Sequence, residues 1–121
     1  MIAPQNPILG MWELIKAEMD GESAPDELSR RTQLRLTEAE YCVYFDGEVM
    51  DRGTIRTVDA SRKTLQFHGV DGANCGRTFC GIYQNNGDRL RICFGLDGRE
   101  PTEFTTAGGQ SRYLAMYRRV G

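Results

Sequence analysis

Short runs in which apolar and polar residues strictly alternate, cut apart by turns rich in glycine and aspartate, constrain this chain more than any other feature. The clearest run is Arg89 to Phe94, where Leu90, Ile92 and Phe94 alternate with Arg89, Arg91 and Cys93. A period of two sends successive side chains to opposite faces of an extended strand, so one face of this run meets a core and the other meets solvent. The pattern recurs in Gln33 to Leu36, with Leu34 and Leu36 on one side, and in Glu40 to Asp46, with Tyr41, Val43 and Phe45 together. Lys63 to His68 turns Leu65 and Phe67 inward and His68 to the polar face. In Met11 to Met19, Trp12 and Leu14 fall on one side and Ile15 and Ala17 on the other. No long stretch carries the three- and four-residue apolar spacing of an amphipathic helix.

The turn dipeptides set the connections. Asp20-Gly21 is a turn dipeptide that ends the first run, and Asp46-Gly47 suits a two-residue hairpin, because a type I′ turn needs positive φ at both central positions. Asn85-Asn86-Gly87-Asp88 marks a third hairpin, between Arg77–Gln84 and Arg89–Phe94. The partner strand after Asp46-Gly47 runs from Val49 to Val58, and Val70 to Gly76 is a glycine-rich connection. Glu103 to Thr106 reads as a short strand, Gly108-Gly109 as a turn and Ser111 to Arg119 as the last strand. Pro25-Asp26-Glu27-Leu28 suits one short helical turn or a loop. The sum is roughly nine strands spaced about 8–12 residues apart, which predicts an all-β fold: an antiparallel up-and-down barrel of about 8–10 strands, or a sandwich.

A barrel is favoured because pairing the first strand with the last removes both exposed edges. Trp12, the only tryptophan, would then lie beside Arg119. A guanidinium stacked on the indole, with its remaining N–H groups on backbone carbonyls, would seal one end. The competing reading is an ordinary core tryptophan and a free arginine at a strand end.

With 121 residues, 40% hydrophobic and 26% charged, the chain makes one globular domain over 1–121, with a single core. A net charge of −2 gives no general attraction to nucleic acid, and no apolar run reaches the ~18 residues of a membrane span. The clusters Arg30-Arg31 and Arg118-Arg119 read either as solvated strand-end charge or as a phosphate site. Met1 to Pro7 lacks the basic and apolar regions of a secretory signal, so a cytoplasmic location is expected. Cys42, Cys75, Cys80 and Cys93 have no C-x-x-C spacing, and His68 is the one histidine available to complete a zinc set. They read as reduced thiols, with a Cys75–Cys80 disulfide as the alternative, and no metal or other cofactor is expected. His68 on a polar face, and acids Asp20, Glu22, Asp26 and Glu27 beside a helical turn, make a thin case for an enzyme, so no catalytic residue is assigned.

Several segments together resemble a known group. They are Leu9-Gly10-Met11-Trp12, Glu18-Met19-Asp20-Gly21, Gly81-Ile82-Tyr83, Gly87-Asp88-Arg89-Leu90-Arg91-Ile92-Cys93, Arg99-Glu100-Pro101-Thr102-Glu103-Phe104 and the closing Leu114-Ala115-Met116-Tyr117-Arg118-Arg119. In order and spacing they are similar to the lipocalin-like domain family of uncharacterised bacterial proteins, many of them planctomycete. The family's arginine–proline step is stretched by one residue here. The resemblance spans nearly the whole chain and implies a calycin-type barrel closed by Trp12 and Arg119, but it implies little about activity. Avidins share the G-x-W start and a G-x-Y strand, yet their biotin-site pattern is not recognisable.

A barrel interior either holds a ligand or is filled by its own side chains. The expected inward set is Trp12, Leu34, Leu36, Tyr41, Val43, Phe45, Ile55, Leu65, Phe67, Phe79, Leu90, Ile92, Leu114 and Met116. From it, Tyr41, Val43, Phe45, Phe67, Leu90, Ile92 and Met116 are the candidate ligand-binding residues for a small apolar or amphipathic molecule. Arg35, Arg56, Arg77 and Arg91 would clamp a carboxylate if turned inward, though alternation sends most of them outward, and Tyr44 and Tyr83 would offer hydroxyls. The alternative function is a filled barrel that serves as a structural or protein-interaction module, with a homo-oligomer as one form of it.

Overall fold

The computed structural model describes residues 7–59, 61–106 and 111–120. Its strands are β1 (Gly10–Met19), β2 (Glu22–Ser23), β3 (Thr32–Leu36), β4 (Glu40–Phe45), β5 (Glu48–Asp59), β6 (Thr64–Gly72), β7 (Thr78–Asn86), β8 (Arg89–Gly95) and β9 (Arg112–Arg119), with one short helix, α1 (Asp26–Arg30). All pairings are antiparallel between neighbours, and β1 also pairs with β9, closing an eight-strand up-and-down barrel with β2 as an added strand on β1. The chain is therefore all-β, as the alternation predicts. The turns behave as their residue types require: Asp20, Gly21, Asp46 and Gly47 all have positive φ.

Closure rests on the expected pair. Trp12 lies opposite Arg119 in the β1–β9 register, with the guanidinium carbon 4.2 Å from the indole ring. Arg119 Nη1 donates to the Leu9 carbonyl at 2.9 Å and Nη2 donates to Pro7, while the indole N–H donates to Ile8 at 2.9 Å. Gly10 explains the G-x-W spacing. Its φ is +127°, and a Cβ there would stand 2.8 Å from Arg119 Nη1, so a side chain would meet both strain and the sealing arginine. Ile8 and Trp12 are fully buried and plug this end.

Three expectations are corrected. In β1 a bulge between Leu14 and Lys16 shifts the phase, so Ala17 joins Trp12 and Leu14 in the core and Ile15 is left exposed. In β9 the run Leu114-Ala115-Met116-Tyr117 is apolar throughout, and alternation alone cannot choose its inner face. Pairing chooses it: Ala115 lies opposite Ile92 and Tyr117 opposite Leu90, so Ala115 and Tyr117 face inward and Leu114 and Met116 outward. Third, Glu103 to Thr106 is not a strand. Its segment folds over the outer wall, where Phe104 takes the Arg91 guanidinium at 4.0 Å and Thr106 Oγ1 donates to Glu18 at 2.6 Å. Cys93, outward and paired with Leu114, is sealed beneath it, with Sγ 3.9 Å from the Thr105 carbonyl. The Gly108-Gly109 turn lies outside the described residues.

Candidate functional site: the cavity at the open end

Because β1 starts at the plugged end and the strands alternate in direction, the open end gathers the C-terminal half of β1, the β4–β5 hairpin, the β6–β7 loop and the start of β9. A cavity of about 520 Å³ opens there, within the 300–1,000 Å³ range of small-molecule sites. One wall is aromatic. Tyr41 and Phe67 stack face to face at 4.2 Å with their planes 6° apart, and Phe94 tilts against Phe67 at 5.0 Å. Phe79 and Tyr113 flank Phe94 at 6.5 and 6.4 Å. The three separations of 5.0 to 6.5 Å lie in the range at which ring quadrupoles favour offset and edge contacts, while Tyr41 and Phe67 pack closer.

Set into this apolar wall is one buried polar cluster. Asp51, only 5% exposed, stands on β5 at the same strand parity as Gly53 and Ile55, the inward face. The Tyr41 hydroxyl donates to Asp51 Oδ2 at 3.0 Å. Asn74 donates twice, from Nδ2 to Oδ2 at 2.9 Å and from its backbone N–H to Oδ1 at 3.2 Å. Burial first, then the negative charge of Asp51, raises the Tyr41 pKa far above the ordinary phenol value, so the hydroxyl is a neutral donor. Burial likewise raises Tyr113 and Tyr117, which also line the cavity.

The β6–β7 loop is built to present Asn74. Its ends are tied by Gly69 N–H to Arg77 O at 2.8 Å and Gly76 N–H to Gly69 O at 2.9 Å, and Ala73 N–H reaches Met50 O at 3.0 Å. Gly72, with φ +100° and the Met50 backbone packed where a Cβ would be, lets the loop fold against β5. Arg77 closes the loop at the rim, exposed, with its guanidinium carbon 4.9 Å from the Phe79 ring centroid.

No family model matches the chain, nor does any curated protein or solved structure. Function must therefore be read from the site itself, since a barrel scaffold alone does not specify one.

The structure brings three of the seven candidate ligand residues, Tyr41, Val43 and Phe67, into the cavity wall. Leu90 and Ile92 are inward and buried, but they lie in the half of β8 nearest the plug and pack the core there. Phe45, opposite Thr32, is half-buried beyond the lining. Met116 is on the outer face, between Lys16 and Arg91 in the neighbouring strands. Of the four arginines weighed as clamps, Arg77 reaches the mouth, Arg91 lies over Phe104 outside, and Arg35 and Arg56 are exposed.

Asp51 and Asn74 were not among the expected residues. The signal for Asp51 was its parity with Ile55, which makes it a charged side chain on an inward position. Asn74 offered no such signal, because its placement depends on how the loop folds back. His68 faces outward as expected, with Nδ1 2.7 Å from Thr78 Oγ1. The four cysteines are free thiols, with Cys75 exposed and Cys93 buried, so Cys75 and Cys80 are not bridged. Burial raises the Cys93 thiol pKa, and the positive charge of Arg112 partly opposes the rise. No described helix is long and apolar enough to cross a membrane.

Proposed function

We propose that the protein is a lipocalin-like barrel that holds a small apolar or amphipathic molecule in its open-end cavity without acting on it chemically. The observation that carries this reading is the cavity itself: about 520 Å³, walled by stacked aromatic rings, with one buried polar cluster set into the apolar lining. A filled interior would leave no such volume. Four free thiols favour a reducing compartment, hence the cytoplasm.

Titration with the neutral fluorophore N-phenyl-1-naphthylamine tests the reading. The expected result is a saturable, one-to-one rise in emission, weakened at least about tenfold by Val43→Trp, which places a large ring in the cavity. A wild-type protein that gives no saturable signal overturns it.

One observation favours the interaction-module reading. Met19, Val49, Met50 and Val70 are each about half exposed around the mouth, and apolar rims can mark protein contacts. Light scattering across a wide concentration range separates the two: self-association abolished by Val49→Lys and Val70→Lys, with fluorophore binding absent, would favour the module.

A further inference from the structure

We infer that the ligand this cavity prefers carries a cationic amine on a planar apolar body, with the ammonium directed at Asp51; this rests on the proposed function above. Asp51 is a carboxylate almost wholly withdrawn from water, and a buried charge is costly unless a full opposite charge or several hydrogen bonds compensate it. Its three donors, the Tyr41 hydroxyl and the two Asn74 N–H groups, are all neutral. Among the described residues no lysine, arginine or histidine forms an ion pair with it. A carboxylate has about four acceptor positions, so three donors leave it room for one more. Asp51 also lines the cavity, on the same wall as the rings of Tyr41, Phe67 and Phe94.

An ammonium group entering here gains twice. It adds a charge-assisted hydrogen bond to a carboxylate that lacks an ion-pair partner, and its planar body enters a space walled by aromatic rings. The same surroundings penalise an anion, whose charge would be brought beside Asp51 in a poorly solvated space. Arg77, the one cation among the described lining residues, does not reverse this: it is exposed at the rim and drawn over Phe79, where water screens its charge. Pinning the β6–β7 loop accounts for the geometry of the donors on Asp51. It does not account for a carboxylate on the wall of a cavity with no ion-pair partner among the described residues.

Three probes with one naphthalene body and different charge test the inference: 1-naphthylmethylamine, 1-naphthylmethanol and 1-naphthoate, each displacing N-phenyl-1-naphthylamine at pH 7. In the wild type the amine is expected to bind about 10- to 100-fold tighter than the alcohol, and the carboxylate more weakly than the alcohol. Asp51→Asn is expected to bring amine and alcohol within about threefold while the alcohol's own affinity holds. Arg77→Gln should keep or strengthen the amine preference. Equal affinities, or tighter binding of the carboxylate that Arg77→Gln abolishes, would overturn the inference while leaving the cavity reading intact. Failure of the fluorophore itself to bind removes both. Should Asp51→Asn loosen the loop, alcohol binding falls with it, and the order of the three probes on the wild type decides alone.

Discussion

The two ends of the barrel use the same kind of residue for opposite purposes. At the plugged end, Trp12 and Ile8 are fully buried, the indole N–H and the guanidinium of Arg119 are spent on backbone carbonyls, and Leu90 and Ile92 fill the space above. At the open end, phenyl and phenol rings stack on one another along a wall, leaving volume in front of them. There, a carboxylate takes the position that an apolar side chain would occupy in a filled core. Polar groups at the plug are paired with the chain's own backbone; Asp51 at the mouth is paired with neutral side-chain donors instead. The plug is built for stability, and the mouth gives some of that up for an accessible interior.

The contrast makes graded predictions. The largest effect belongs to the plug: Trp12→Ala should cost about 3–5 kcal/mol, because neither Ile8 nor Arg119 can collapse into an indole-sized void. A denaturant midpoint equal to wild type would remove Trp12 from its structural role. Next, Leu90→Ala should cost about 2–5 kcal/mol, whereas Val43→Ala, which only widens a space already open, should cost about 1 kcal/mol or less. Similar losses at the two sites would mean that the ends do not differ in packing. Smaller still, a double-mutant cycle on Trp12 and Arg119 should return a coupling of about 0.5–2 kcal/mol, reflecting their stacking; additive losses would break the closure pair.

Alkaline pH probes the buried tyrosines. Tyr41 and Tyr117 in the cavity wall and Tyr83 elsewhere in the core are all held protonated above the ordinary range by burial. Above pH ~10 the unfolded chain releases these protons and the folded chain keeps them, so the native state binds more protons and stability falls as pH rises. Below pH ~10 the three tyrosines add no pH dependence. Thermal midpoints from pH 8 to 11 should therefore be level and then decline, and Tyr117→Phe should make the decline shallower. An unchanged slope in that variant would mean that Tyr117 ionises as freely in the folded chain as in the unfolded one.

Much of this arrangement was legible before any coordinates. Strict alternation in Arg89–Phe94 names its inner face because each apolar residue is flanked by polar ones, and Leu90, Ile92 and Phe94 are indeed inward. Where alternation is diluted, it fails. Leu114-Ala115-Met116-Tyr117 offers two apolar faces, and the cross-strand partners Leu90 and Ile92 select the one carrying Ala115 and Tyr117. Ile15 and Ala17, expected on one face, are separated by a bulge that leaves no mark in the composition, and Ala17 alone joins the core. The cavity was half legible: Tyr41, Val43 and Phe67 line it, but the division of the inward set between plug and mouth depends on height along the barrel, which a period of two does not encode.

By itself, the sequence determined the strand-and-turn grammar and the all-β class, and it offered the Trp12–Arg119 closure as one of two readings. The first two follow from local rules: side-chain alternation and the φ demands of Asp-Gly turns. Tertiary structure alone decided which inward residues plug the barrel and which surround a space. It also decided that Asp51, twenty-three residues from Asn74, shares its hydrogen bonds with that loop and with Tyr41. The physical reason is that such neighbours are set by strand register and loop return, and register belongs to pairs of strands rather than to any one of them.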